Sequence, residues 1–247
     1  MEPDKLITTR IVIEREYAFI PTEEIHQSSI PNLKEATVKV LASPQIGAKF
    51  VEYLVELNRD GGSIKPFEEE DIEHFIYVLS GEGMLETGER SLKISPGDYA
   101  YLPPGAPFKF QSSVDVMKIF IFKKRYVPLP PEKPDFIFNN ERNVQKDYEN
   151  GYWWQYLIPF HPKYDMRVDI GNFPPGIGFG YVETHFEEHG MYILSGKGLY
   201  LLGKIWHPYK EGDFVWMSPH CPQSVYPIGT EITRYLIYKD WYRDIKL

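Results

Sequence analysis

The sequence lacks several features that would place it in a class at once. Its 247 residues include a single cysteine, Cys221, which excludes an intrachain disulfide and favours a reducing compartment. No apolar run reaches the ~20 residues of a membrane-spanning helix, and the charged N-terminal segment is unlike a secretory signal. Lysine and arginine (27) are fewer than aspartate and glutamate (35), and the net charge of −8 disfavours nucleic acid and anionic membranes. We therefore expect a cytoplasmic protein that contacts neither.

Aromatic residues, prolines and glycines are abundant instead. Aromatics make up 15% of the chain, and 21 prolines and 19 glycines separate short runs of alternating apolar residues such as 49–57 and 75–79. Alternation with a period of two, broken by turn residues, predicts an all-β chain. We expect one short helix, at residues 148–157.

An internal repeat divides the chain into two similar parts. Residues 77–83 (YVLSGEG) align without a gap on residues 192–198 (YILSGKG), a shift of 115 that also places 97–98 on 212–213. The repeat predicts two copies of one β unit, each of roughly the size of a small barrel or jelly roll. The proline-rich stretch 128–134 lies between them.

This repeat predicts three parts along the chain. They are an N-terminal half with an N-terminal arm (1–127), a connector (128–145) and a C-terminal half (146–247). The arm around residues 8–13 could pair with the sheet of a neighbouring subunit, so we expect a homo-oligomer, a dimer or larger.

The C-terminal half contains a cluster of residues that could bind a metal. Residues 180–190 hold two histidines and three carboxylates. Glu183 and His185 are two apart, so on a strand they would share a face, and a short turn could bring His189 to the same point. The alternative is that these side chains decorate a solvated strand and turn.

The spacing of the cluster resembles the cupin motifs. Glu183-x-His185-x3-His189-x6-Gly196 is similar to the first motif, and the second is matched in outline by residues 212–223, with Gln223 at its ligand position. The first copy reads Glu68-x-Glu70-x3-His74, with Phe108 at the fourth position. The resemblance implies a bicupin, with two tandem double-stranded β-helix (jelly-roll) barrels. It also implies a metal site in the second barrel, and its ligands would be Glu183, His185, His189 and Gln223. The departures in the first copy indicate a structural barrel there, with a vestigial or substrate-lining cavity as the alternative.

The implied ligand set indicates which metals are suitable. Two imidazoles, one carboxylate and one amide, without a thiolate, suit a six-coordinate divalent ion with two open positions. Mn²⁺ and Fe²⁺ are the leading choices, and Zn²⁺ is less favoured because its sites are usually four-coordinate. Glu187 and Glu188 compete as ligands but lie off the motif positions.

A closer resemblance names an activity. Residues 181–198, with 123–128 and 238–240, are similar to the (S)-ureidoglycine aminohydrolases, manganese bicupins of purine-ureide breakdown. The resemblance implies release of ammonia from (S)-ureidoglycine, a small anionic ureide, to give (S)-ureidoglycolate, in a cavity lined by Tyr200, Tyr235 and Lys239. On the predicted strand 233–239, Tyr235 and Lys239 share a face. Lys239 could anchor the substrate carboxylate, the role we favour, or, if burial lowered its pKa, exchange a proton with water or the departing amine. An iron-dependent cupin dioxygenase or isomerase and a non-catalytic ligand-binding cupin are the alternatives.

Overall fold

The computed structural model describes residues 9–129 and 132–243, and strands account for most of their regular structure. The first ten strands are β1 (Val12–Ile13), β2 (Tyr17–Pro21), β3 (Leu33–Ala42), β4 (Val51–Ser63), β5 (Ile72–Ser80), β6 (Gly83–Thr87), β7 (Arg90–Ile94), β8 (Asp98–Leu102), β9 (Phe108–Ser112) and β10 (Val116–Arg125). The next ten are β11 (Ile137–Asn140), β12 (Lys146–Glu149), β13 (Tyr152–Tyr156), β14 (Met166–Phe173), β15 (His189–Ser195), β16 (Lys197–Leu202), β17 (Ile205–Lys210), β18 (Asp213–Met217), β19 (Gln223–Pro227) and β20 (Thr233–Asp240). Short 3₁₀ turns lie at Thr22–Glu24, Pro44–Ile46 and Glu141–Asn143. None of the helical segments in the described ranges has the length and apolar character needed to cross a membrane.

The strands form two antiparallel jelly-roll barrels. In the first, the order β8-β5-β10-β4 continues into β9-β6-β7, and β3 pairs with β4. In the second, the order β18-β15-β20-β14-β13-β12 is complemented by the separate sheet β17-β16-β19. The prediction of an all-β chain with two tandem barrels is confirmed.

The sequence repeat corresponds to a structural one. Strands β5, β8 and β10 occupy the positions in the first barrel that β15, β18 and β20 occupy in the second. The glycines that directly follow β5 and β15 show why both repeats have the same residue at this turn. Gly81 and Gly196 have φ of +81° and +84°, and a Cβ at Gly81 would lie 2.6 Å from the carbonyl oxygen of Val116. Only glycine fits such a conformation without strain.

Each barrel also takes a strand from outside its own repeat. The N-terminal strand β2 pairs with β18 of the second barrel, from Asp213↔Pro21 to Met217↔Tyr17. Strand β11, from the connector, pairs with β8 of the first barrel. Strand β1, in the arm that we expected to reach a neighbour, pairs with β2 of its own chain, while residue 8 lies outside the described residues.

The helix predicted at 148–157 is wrong. That region is a hairpin of β12 and β13, whose turn residues Asn150 and Gly151 have φ of +48° and +91°. Two successive residues with positive φ are what a tight hairpin turn requires, and Asn-Gly is the dipeptide that most favours it. The signal for a hairpin was therefore present in the sequence.

Three apolar cores hold the molecule together. One fills the first barrel and includes Val55 and Phe110, and one fills the second and includes Met191 and Tyr235. The third lies between the barrels, where Phe122 of β10 contacts Tyr238 of β20. The third core contains residues of both repeats, so the burial of their apolar side chains stabilises one arrangement of the two barrels.

Buried polar groups are placed in the same way on the two sides of this interface. Tyr101 donates a hydrogen bond of 2.5 Å to Glu73, and at the equivalent positions Trp216 donates one of 2.7 Å to Glu188. Lys124 of β10 lies beside the first pair. Each acid directly precedes the histidine that the repeat shares, so Glu188 is directed into the interface.

Lys124 joins the two barrels through carboxylates of the second. Its Nζ lies 3.4 Å from Oδ2 of Asp165 and 3.3 Å from Oδ1 of Asp240, and it donates to the carbonyl oxygen of Asp165. Burial by itself would lower the pKa of Lys124, but the carboxylates of Asp240, Asp165 and Glu73 outweigh it and raise that pKa. The ammonium group is therefore charged and neutralises part of a buried acidic cluster.

Glu52 is a fully buried acid on β4 without a hydrogen-bond partner among the described residues. Its two carboxyl oxygens lie 2.5 Å from the point where a side chain on Gly190 would begin. Burial, and secondarily the charge of Glu188, raise the pKa of Glu52 well above 4.5. The folded protein therefore holds a proton there that the unfolded chain releases.

This proton makes stability depend on pH. Between the unfolded pKa near 4.5 and the raised folded pKa, the native state binds more protons, so stability falls as pH rises, by about 1.4 kcal/mol per pH unit. We expect Glu52→Met to raise the melting temperature more at pH 8 than at pH 5. Glu56→Met, on the same strand at a half-exposed site, is the control and is expected to leave the pH dependence unchanged. Equal effects of Glu52→Met at both pH values would contradict the prediction.

Candidate functional site

The four predicted metal ligands come together at one end of the second barrel. Glu183 and His185 lie in the long segment between β14 and β15, His189 is the first residue of β15, and Gln223 is the first residue of β19. The His185 Nε2 is 3.2 Å from the His189 Nε2 and 3.0 Å from the Gln223 amide nitrogen. Oε1 of Glu183 lies 3.9 Å from the same His185 nitrogen.

Glu183 and His185 are not on a strand, as the sequence had suggested. Glu183 forms an isolated bridge with Gln223, in which each backbone N–H donates to the other residue's carbonyl at 3.0 Å. The carbonyl oxygen of His185 accepts from the N–H of His220 at 2.7 Å. Backbone bonds to the β18–β19 connection, rather than strand parity, therefore place these two side chains.

The contacts of the two Nδ1 atoms determine how each imidazole ring presents its Nε2 atom. Nδ1 of His189 lies 2.9 Å from the carbonyl oxygen of Glu188, and Nδ1 of His185 lies 2.6 Å from Oε2 of Glu187. A carbonyl oxygen can only accept, so the Nδ1 of His189 carries the proton and its Nε2 directs a lone pair into the cluster, while the Glu187 carboxylate lies against the Nδ1 side of the His185 ring. Burial, with Lys239 and His185 nearby, lowers the pKa of His189 well below its usual value, so this ring is neutral.

The Nε2 lone pair of His189 faces the Nε2 of His185 at 3.2 Å, a distance that a shared proton or a bound cation bridges. This is the arrangement that metal-binding histidines show, with the outer nitrogen held by a carbonyl or a carboxylate. The described ranges contain no group of three His, Cys, Asp or Glu side chains that is placed to hold a metal ion. The convergent atoms here belong to two histidines and an amide, with Glu183 at the edge of the group.

The two lower-ranked acids have other partners. Glu187 contacts His185; burial pushes its pKa up, but the hydrogen bond and charge of His185 outweigh this and lower it. Glu188 accepts from Trp216 and from the backbone N–H of Lys49. Both acids therefore support the cluster from outside.

The three residues expected to line the cavity lie on the inner face of the second barrel. Tyr200 is buried and donates a 2.8 Å hydrogen bond to Oε1 of Gln223, which orients that amide. Tyr235 is fully buried, and its hydroxyl has no hydrogen-bond partner among the described residues. Lys239 is the cross-strand neighbour of His189, with its Nζ 5.2 Å from the ring centre of Trp154.

Sequence reasoning missed three residues of this inner face. Trp154, Arg167 and Asp169 lie on β13 and β14, in register with Tyr235, Lys239 and their neighbours on β20. Arg167 and Asp169 are nearly or fully buried within a strand that is otherwise mostly apolar. Charged residues are rarely buried without a role, so this pair in β14 was the available signal.

The corresponding place in the first barrel is built differently. Glu68 and Glu70 are exposed, whereas His74 is buried between Phe67 and Phe108, with ring centres 6.0 and 4.9 Å away. Burial, aided by Lys123, lowers the pKa of His74 to about 3. Aromatic rings therefore pack around the one histidine that the repeat retains.

Comparisons with known proteins agree with this architecture. The family model for the cupin domain matches residues 53–121. The chain is 35% identical over 249 residues to the (S)-ureidoglycine aminohydrolase of Escherichia coli K12, covering 99% of this chain and 95% of that protein. It is 32% identical over 238 residues to the enzyme of that name from Arabidopsis thaliana, covering 94% and 78%. The chain belongs to the (S)-ureidoglycine aminohydrolase family.

A solved structure extends the match to three dimensions. The crystal structure of the E. coli protein Ylba, of family model DUF861, superposes with a TM-score of 0.89 at 32% identity, covering 98% of both chains. The cupin domain match falls on the first barrel, whereas the histidine cluster lies in the second. In this member of the (S)-ureidoglycine aminohydrolase family, the most recognisable cupin sequence and the candidate site are thus on different repeats.

Proposed function

We propose that the chain is a metal-dependent aminohydrolase that converts (S)-ureidoglycine and water to (S)-ureidoglycolate and ammonia. The activity is supported by near full-length relatives of that name. The observation that supports the metal dependence is the convergence of the two imidazole Nε2 atoms, 3.2 Å apart, with an oxygen of Glu188 or Glu187 beside the other nitrogen of each ring. Cytoplasmic location, a homo-oligomeric state and the lack of nucleic-acid or membrane contacts are part of the proposal.

The residues that would hold the metal are Glu183, His185, His189 and Gln223. Two imidazole nitrogens, the Glu183 carboxylate and the amide oxygen of Gln223 suit Mn²⁺ best, with Fe²⁺ and Zn²⁺ as alternatives. To present that oxygen the Gln223 amide would turn over, since its nitrogen faces His185 and its oxygen accepts from Tyr200. When bound, such an ion would supply Lewis-acid polarisation and fix the orientation of the substrate. Burial raises the pKa of Glu183, and the nearby charges of Lys239 and His185 offset only part of that rise.

The remaining residues would bind and orient the substrate. Its carboxylate would pair with the ammonium group of Lys239, for which the described residues provide no ion pair. The free hydroxyl of Tyr235 can donate to a polar group of the substrate, and Tyr200 holds Gln223 in place. In the reaction, a C–O bond to water forms, the C–N bond to the amine breaks, and the amine leaves as ammonia with a proton from that water.

A coupled assay tests the proposal. (S)-Ureidoglycine is generated in place from allantoate by an auxiliary enzyme, and ammonia release is measured with Mn²⁺-loaded protein after subtracting spontaneous decay. We expect wild-type protein to accelerate ammonia release, Glu183→Ala to abolish the acceleration, and one enantiomer of ureidoglycolate to accumulate. No acceleration by folded, metal-loaded protein would overturn the assignment, and oxygen uptake with Fe²⁺ would then identify a dioxygenase.

A further inference from the structure

Three charged or titratable side chains form a row across the inner face of the second barrel. His189 on β15 is opposite Lys239 on β20, and Lys239 is opposite Arg167 on β14. Directly opposite residues on antiparallel strands present their side chains on the same face. Asp169, two residues after Arg167, is therefore the diagonal neighbour of Lys239 on that face.

Arg167 is held in place from two sides. Its guanidinium pairs with the fully buried carboxylate of Asp169 through Nη2 and, at 3.4 Å, through Nε. Its central carbon lies 4.3 Å from the ring centres of both Phe160 and Trp241, and 5.0 Å from that of Tyr156. Cation–π contacts and a two-point ion pair of this kind fix a guanidinium far more firmly than a surface ion pair does.

The ammonium group of Lys239, unlike the guanidinium of Arg167, is not held by a carboxylate of the described residues. In residues 9–129 and 132–243, its ammonium group makes no ion pair within 4.0 Å, although Asp169, Glu183 and Glu187 are all near enough to act on it electrostatically. Among these acids, Asp169 exerts the largest effect. A buried aspartate beside a partly buried ammonium would normally pair with it, since each charge is costly to bury alone.

We propose that Arg167 is a positioning residue that occupies both carboxylate oxygens of Asp169 and thereby keeps the ammonium of Lys239 free for a carboxylate of the substrate. Arg167 acts through Asp169. The aromatic rings around the guanidinium prevent it from turning away. This inference rests on the proposed function and refines it, because it assigns recognition of a small carboxylate to Arg167, Asp169 and Lys239 together rather than to Lys239 alone.

The first test compares three variants. Arg167→Met keeps an unbranched side chain among the aromatic rings but frees Asp169, so KM for (S)-ureidoglycine should rise about 10-fold to 100-fold with a smaller change in kcat. Asp169→Asn should raise KM less than Arg167→Met does, since the amide competes weakly for Lys239. The double variant should regain most of the loss, because the acid with the largest effect on the ammonium group is gone. A double variant as impaired as Arg167→Met would overturn the proposal.

Arg167→Lys is the conservative control. It retains a cation for Asp169 and should keep KM within about 5-fold of wild type. A KM as high as that of Arg167→Met would show that the planar guanidinium itself contacts the substrate, which contradicts a role through Asp169. Melting temperatures of all variants, measured in parallel, separate loss of binding from loss of folding.

A second test does not depend on activity. In a crystal structure of Arg167→Met or, if that variant does not fold, of Arg167→Gln, we expect a carboxylate oxygen of Asp169 within 4 Å of the Lys239 Nζ. Separate side chains in that structure would refute the inference even if KM rises. If wild-type protein releases no ammonia, the proposed function fails, while this distance still decides whether Arg167 keeps Asp169 from Lys239.

Discussion

Replacing His189 with alanine is expected to abolish ammonia release, by at least about 10³-fold in kcat, and to remove the bound metal. The substitution removes one of the two convergent imidazole nitrogens, so His185 loses the neighbouring Nε2 atom of His189. Loss of a metal that supplies several kcal/mol of transition-state stabilisation corresponds to a decrease of this size. Metal content by mass spectrometry and single-turnover rates, before and after adding Mn²⁺, measure the two losses together.

His74→Leu is the matched control, since the repeat places His74 in the first barrel at the position of His189. Its ring is neutral and surrounded by phenylalanines, so an apolar side chain of similar size should be tolerated. We expect full metal content and activity within about 3-fold of wild type. Metal loss in His74→Leu, or an active and metal-loaded His189→Ala, would contradict the placement of the site in the second barrel.

Replacing Lys124 with methionine is expected to cost about 3–5 kcal/mol of unfolding free energy at neutral pH. Asp165 is fully buried, and Lys124 is the cation that contacts it and Asp240. Removing one member of a buried ionic group leaves the others uncompensated, which accounts for a loss of this size. Denaturant unfolding, with the midpoint and the slope both fitted, gives the value.

The loss should depend on pH in a definite direction. Without Lys124, a charged carboxylate in this cluster loses its neighbouring cation, whereas a protonated carboxyl group loses no charge pairing. The variant is therefore least destabilised near pH 4 and most destabilised near pH 8. Lys123→Met, at the adjacent residue, is the control and should change stability by less than about 1 kcal/mol. A loss independent of pH would show that packing rather than charge accounts for the effect.

The repeat and the ligand spacing were predictable because both are local properties of the sequence. Turn glycines such as Gly81 and Gly196 are required by backbone geometry, so they survive at a constant shift and mark equivalent strands. The set Glu183, His185, His189 and Gln223 was found by its spacing, although the reason given for its convergence was wrong. A bridge to Gln223, rather than a strand, places Glu183.

What the sequence did not reveal depends on contacts between distant segments. Nothing local shows that β2 joins the far barrel or that Glu188 is directed toward Trp216. The β12–β13 hairpin was mistaken for a helix although the Asn-Gly dipeptide at its turn is a local signal for a hairpin. Arg167 was missed for a similar reason, since its importance arises from the register of β14 against β20.

The exchange of β2 and β11 between the barrels has a consequence for any attempt to divide the protein. A fragment ending near residue 128 would carry β2, whose partner β18 is missing, and would lack β11, which covers β8. Its complement would expose the edge of β18 beside the strand that bears His189. Neither fragment is a self-sufficient folding unit, so a barrel isolated for study would need its borrowed strand attached as a fusion or added as a peptide.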